Sequence, residues 1–137
     1  MDETVIVIML KNKGTGFLER ELGSYSVEFH ENLIYNIFAL EENAKTTVYM
    51  RLTTERDLEE WEFPAVLDYY DTDSLLEVCN LAEEDDSGYN PIWEAAFDFS
   101  ENQEIMEERI SRILDIHKEE LSSVYNAIKD LKNDYEV

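Results

Sequence analysis

An α+β fold follows from two regularities in this chain and the boundary between them. The first 54 residues hold short β-branched and aromatic runs separated by polar turns, whereas the last third carries an apolar stripe at heptad spacing. Between them, Ser100-Glu101-Asn102-Gln103 has the S-x-x-Q form of a capping box, in which each end residue satisfies an orphan amide of the other. The expected architecture is an antiparallel sheet of five or six strands packed against a long C-terminal helix. At 137 residues a single domain is the natural unit. It divides into a strand-rich meander (1–54), an acidic mixed region ending in a strand (55–99) and the helix (100–135).

Val5–Leu10 is continuous and β-branched, as suits a strand covered on both faces. Lys11–Gly16 reads as a turn, Phe17–Leu22 as the returning strand and Gly23 as its end. Tyr25–Phe29 alternates, placing Tyr25, Val27 and Phe29 on one face. Leu33–Leu40 and Thr46–Thr53 complete a five-strand antiparallel meander around the polar tip 41–45. Thr54 can cap a short helix that Phe63-Pro64 must interrupt, with Pro64 opening a second turn over Ala65–Tyr70. Leu75–Leu81 is an apolar patch followed by the acid run Glu83–Asp86, and Ile92–Phe99 reads as a sixth strand.

In the last third, Ile110, Leu114, His117, Leu121, Val124, Ile128, Leu131 and Tyr135 recur at alternating steps of four and three. Unbroken from 101 to 134, such a helix would run about 50 Å. A globule of this size has a radius of gyration of only about 14 Å. Two arrangements remain open: a break at Ser122-Ser123 that lets both pieces pack on one sheet face, or a projecting end that forms a homodimer seam.

Charge is the strongest functional signal. Thirty-three acids and eleven bases give a formal net charge of −22. Residues 55–108 hold nineteen acids and one base, a net of −18, against −3 for 1–54 and −1 for 109–137. Such a field repels nucleic acid and anionic membrane and attracts basic protein surfaces. Eight aromatic residues lie within the same acidic stretch, so it reads as folded rather than as a solvating tail.

Catalytic signatures are weak. Asp71-Thr72-Asp73 begins like a calcium loop, but Leu76 stands where an EF-hand needs glycine. A weak divalent site at Asp71/Asp73 or Glu83–Asp86 stays open. One cysteine and two distant histidines give no zinc spacing. Gly14-Thr15-Gly16 is too short for a dinucleotide fingerprint, and no nucleophile-elbow serine occurs. His117 on the stripe reads as a satisfied core histidine and His30 as a strand-end residue. Cys79, among Leu75, Leu76, Val78 and Leu81, reads as a small buried hydrophobe in a reducing compartment. The acidic N-terminus argues against a signal peptide, and no apolar run is long enough to span a membrane, so a cytoplasmic protein without a cofactor is expected.

Three functions compete: a non-catalytic module binding a basic protein surface, a nucleic-acid mimic inhibiting a DNA- or RNA-binding protein, and a carboxylate-metal enzyme. The first accords best with these residues. Its expected contacts are Glu55, Asp57, Glu59, Glu60 and Glu62, together with Glu83, Glu84, Asp85 and Asp86. Trp61 is either an aromatic anchor beside them or a core residue.

Phe17-Leu-Glu-Arg-Glu-Leu-Gly23, Trp61-Glu-Phe-Pro-Ala-Val-Leu-Asp-Tyr-Tyr-Asp71 and Tyr89-Asn-Pro-Ile-Trp93, followed by the heptad helix, resemble a family of small acidic uncharacterised proteins of Gram-positive anaerobic bacteria. The resemblance covers nearly the whole chain. It implies a cytosolic bacterial protein without an assigned activity, and it carries over no catalytic or binding residue.

Overall fold

A computed structural model describes residues 4–136. Six strands form one sheet: β1 (Thr4–Lys11), β2 (Leu18–Val27), β3 (Ile34–Glu42), β4 (Lys45–Leu52), β5 (Leu81–Asp85) and β6 (Ile92–Asp98). Their order across the sheet is β2-β1-β3-β4-β6-β5. One face is covered by α1 (Glu62–Tyr69), a 3-10 turn at Thr72–Glu77, α2 (Gln103–Ile128) and α3 (Lys132–Tyr135). The α+β class and the long C-terminal helix are therefore as the sequence indicates. Among the described residues no helix is long and apolar enough to cross a membrane.

The sheet is mixed rather than a pure antiparallel meander, because β1 runs parallel to β3 through the pair Leu10–Ala39. The chain leaves β2 at the sheet edge and crosses to the far side of β1, turning at His30 with φ 69°. Nor is Gly23 the end of a strand. Phe17–Leu22 and Tyr25–Phe29 fall largely within the one long β2, and Gly23 sits opposite Ile8 beside a bulge. A Cβ at Gly23 would meet the Tyr25 hydroxyl at 2.5 Å, so the absent side chain is what lets Tyr25 lie flat there. The sixth strand is made good by Leu81–Asp85, whose acids pair antiparallel with β6.

The β3–β4 hairpin turns through Asn43 (φ 53°) and Ala44 (φ 64°), the two positive values that a type I′ turn requires. A left-handed alanine costs roughly 1–2 kcal/mol. Ala44→Gly should therefore raise the unfolding free energy by about 0.5–1 kcal/mol, net of the greater freedom of unfolded glycine, as measured by urea denaturation.

Pro64 does not interrupt a helix. It is the third residue of α1, inside the first turn, where an amide would have had no helical acceptor anyway. No helix starts at Thr54, whose hydroxyl instead donates to the Arg56 carbonyl at 2.6 Å. The cap of α2 is Asn102, not Ser100: its Oδ1 accepts from the Ile105 amide at 3.1 Å. Asparagine caps as well as serine, and Ser100 holds the Asn102 amide one step earlier.

The helix α2 is unbroken at Ser122-Ser123, which lie exposed on its outer side. Twenty-six residues give about 39 Å, and the chain turns after Ile128 rather than projecting. From Ile110 to Ile128 the heptad stripe is buried against the rest of this chain, so neither of the two open arrangements, a break at Ser122-Ser123 or a projecting stripe, is the one adopted. Facing α2 are Ile8, Met50, Leu52 and Trp93, all essentially inaccessible to water. The other face of the sheet is open. It shows Val5 (60 % exposed), Val7 (42 %) and Tyr35 (57 %) beside the stacked pair Phe38–Tyr49, with Lys11 over the Phe38 ring.

Candidate functional site

The acidic residues singled out from the sequence separate into three groups. Glu62 is turned inward and joined to Arg56 by two bonds of 2.9 and 2.8 Å, while the Glu59 amide donates to it at 2.9 Å. The guanidinium holds the Glu62 carboxyl below the usual carboxylate range. Glu62 thus anchors the start of α1 and is almost fully buried. Glu55 is half-buried, with one oxygen unpaired among the described residues and near the Tyr125 hydroxyl, and Arg56 lies 4.7 Å from the Tyr125 ring. Asp57 is held by Asn90 Nδ2 at 2.9 Å.

A second group belongs to the β5 edge. Asp85 accepts from Arg51 at 2.9 Å and from the amide and hydroxyl of Ser87, whose bonds keep its carboxyl below the ordinary range. Glu83, Glu84 and Asp86 are exposed and make no side-chain bond to the described residues. Alternation along the strands sets Glu83 and Asp85 on the open face with Arg51 and Glu94.

The third group forms a recess. Glu59, Glu60 and Trp61, at the entry to α1, meet Tyr135 and Glu136 at the end of α3 around a shallow cleft of about 550 Å³. Trp61 Nε1 donates to Glu59 Oε2 at 3.0 Å, and the Tyr135 hydroxyl donates to Asp68 Oδ2 at 2.8 Å. The Asp68 bond is the chief reason that the Tyr135 phenol is pushed up to about 12. Two aromatic rings thus stand among three carboxylates, with a fourth, Asp68, orienting one ring. Glu59, Glu60 and Trp61 were legible in the sequence, whereas Tyr135 read only as the last member of the heptad stripe. Glu136 carried no local signal, and Asp68 stood out only as one of the closely spaced acids Asp68, Asp71 and Asp73.

A separate polar cluster lies in the core. His117 is fully buried on α2; its Nε2 is 2.8 Å from the Thr53 carbonyl and its Nδ1 is 2.8 Å from the Tyr70 hydroxyl. A carbonyl only accepts, so Nε2 carries the hydrogen and Nδ1 accepts from Tyr70. Burial pushes the imidazole down to about 4, so it is neutral, and pushes the Tyr70 phenol well above its usual value. Trp93 stacks on Tyr70 at 4.3 Å between ring centroids. These groups resemble acid–base machinery, but His117 and Trp93 are fully buried and Tyr70 nearly so; they tie α1, α2 and the sheet together. Cys79 is likewise internal, its thiol donating to the Leu75 carbonyl at 2.7 Å and pushed up to about 11 by burial. His30 lies half-buried, 3.9 Å from Asp115.

Among the described residues, no three His, Cys, Asp or Glu side chains converge as a metal site would need. The model of the family of unknown function DUF6762 matches residues 1–136. The chain belongs to that family. No curated protein and no solved structure matches it. Membership in DUF6762 brings no activity, so functional meaning rests on the geometry of the recess and the two acidic groups beside it.

Proposed function

We propose that this DUF6762 chain is a non-catalytic module that binds a basic segment of a protein partner, with the cleft between Trp61 and Tyr135 as its recognition point. What supports the reading is the meeting there of two aromatic rings with Glu59, Glu60 and Glu136. A cation seated over an aromatic face is attracted by the ring quadrupole, and flanking carboxylates add charge-assisted hydrogen bonds. An arginine side chain suits this arrangement best, because its planar fork can stack and bond at once. Glu83, Glu84 and Asp86 act at longer range, raising the rate of encounter rather than holding the complex.

Imitation of nucleic acid accords less well with the arrangement of charge. A phosphate ladder needs one continuous band, yet Glu83, Asp85, Glu94 and Asp98 lie on the open sheet face. Asp68, Asp71 and Asp73 belong to the helical layer behind it.

An arginine-rich peptide, titrated by calorimetry at two salt concentrations, tests the proposal. The triple variant Glu59→Gln, Glu60→Gln, Glu136→Gln should lose about tenfold in affinity, and Trp61→Ala a comparable amount. A control that removes three charges elsewhere, Glu83→Gln, Glu84→Gln, Asp86→Asn, should mainly slow association. Equal losses of affinity in the two triple variants would mean bulk attraction to an anionic surface, and the cleft would have no special role.

A further inference from the structure

Strand β2 lies at one edge of the sheet, and an edge strand presents a row of unpaired backbone groups that can template another strand. The opposite edge, β5, is guarded by its own composition: Leu-Ala-Glu-Glu-Asp sets like charges against any identical strand. β2 lacks that protection over Leu22-Gly-Ser-Tyr-Ser-Val27, which carries no charge at all. Two copies meeting there antiparallel would put no like charges opposite one another.

The register with β1 pairs Val5 with Ser26, Ile6 with Tyr25 and Val7 with Ser24. The outward-facing backbone groups flanking Tyr25 are the Ser24 carbonyl and the Ser26 amide. Both are occupied by side chains of α2. Gln103 Nε2 donates to the Ser24 carbonyl at 2.6 Å, and Glu107 Oε2 accepts from the Ser26 amide at 2.6 Å. Gln103 Nε2 also lies 3.2 Å from the same Glu107 oxygen, bracing the pair. In a parallel ladder, the residue opposite Tyr25 would donate its own N–H to the first group and accept from the second with its own carbonyl. A donor and an acceptor four residues apart on one helix face supply the same two bonds.

We infer that Gln103 and Glu107 stand in for one residue of a seventh strand, and that they seal β2 against edge-to-edge pairing with a second copy of this chain. The seal depends on where α2 begins, and so on the Asn102 cap that places Gln103 in the first turn.

Sedimentation velocity at high salt, where the chain's own repulsion is screened, reads the effect. The wild-type chain and Glu107→Gln, which keeps an acceptor oxygen, should remain monomeric across the micromolar range. Gln103→Ala/Glu107→Ala should self-associate at least about tenfold more tightly than wild type. A folded double variant that stays monomeric, or a wild type that associates equally well, would overturn the inference. Should the double variant not fold, hydrogen exchange on the wild type decides. The Ser26 amide should be protected like the ladder amides of β1, and exchange as fast as an open strand edge would overturn the inference as well.

Discussion

His117→Ala should lower the unfolding free energy by roughly 3–5 kcal/mol in urea denaturation at neutral pH. The imidazole is wholly buried and bridges the Tyr70 hydroxyl to the Thr53 carbonyl. Truncation leaves a void beside Trp93 and removes the partner of each polar group. The same residue carries a pH signature. Its ring is pushed down from 6.5 to about 4, so between those values an unfolded chain binds a proton that the folded chain refuses. Above 6.5 the ring is neutral in both states and the full stability is present. As pH falls through 6.5 towards 4, stability drops, by an amount on the order of 3 kcal/mol once both states are protonated. Denaturation curves of wild type and variant over this window isolate the effect, since the carboxylates and His30 are common to both. Parallel slopes would show that His117 does not titrate as its burial requires.

Trp93→Ala should cost a similar roughly 3–5 kcal/mol. The indole is fully buried near the start of β6, between Leu52 on β4 and Glu84 on β5, with its face against Tyr70. Its Nε1 has no hydrogen-bond partner among the described residues. Phenylalanine keeps most of the apolar contact and removes that unpaired donor, so Trp93→Phe should cost less than half as much. Because His117 and Trp93 touch, with ring centroids 5.2 Å apart, the double alanine variant should fall well short of the summed losses. Full additivity in a double-mutant cycle would mean that the two residues stabilise separate parts of the fold.

Much of the architecture was legible because it rests on local periodicity. The runs now seen as β1, β3, β4 and β6 alternate or are β-branched, and the stripe from Ile110 to Ile128 is the face that α2 buries. What escaped depends on neighbours distant in sequence. Glu83-Glu84-Asp85 reads as a solvated acid run, and only its pairing with Glu94, Trp93 and Ile92 makes it a strand. Gly23 reads as an end because its place inside β2, opposite Ile8 beside a bulge, is set by β1. The parallel pairing of β1 and β3 leaves no trace in either segment, since direction is set by the crossover between them. The candidate site was half legible: Glu59, Glu60 and Trp61 are adjacent in the chain, whereas Tyr135 and Glu136 join them only when α3 folds back. Glu62 was misread as surface because nothing local shows that Arg56 turns it inward.

The uncovered side of the sheet has a consequence for how this chain behaves at high concentration. Valine and aromatic side chains left wet on a broad flat surface would ordinarily draw molecules together. A formal charge of −22 on each molecule opposes that approach over a distance of about a Debye length, 8 Å at physiological salt. The carboxylates therefore serve as a built-in dispersant as well as a lure for cations, and screening them by salt should tell only well above the micromolar range.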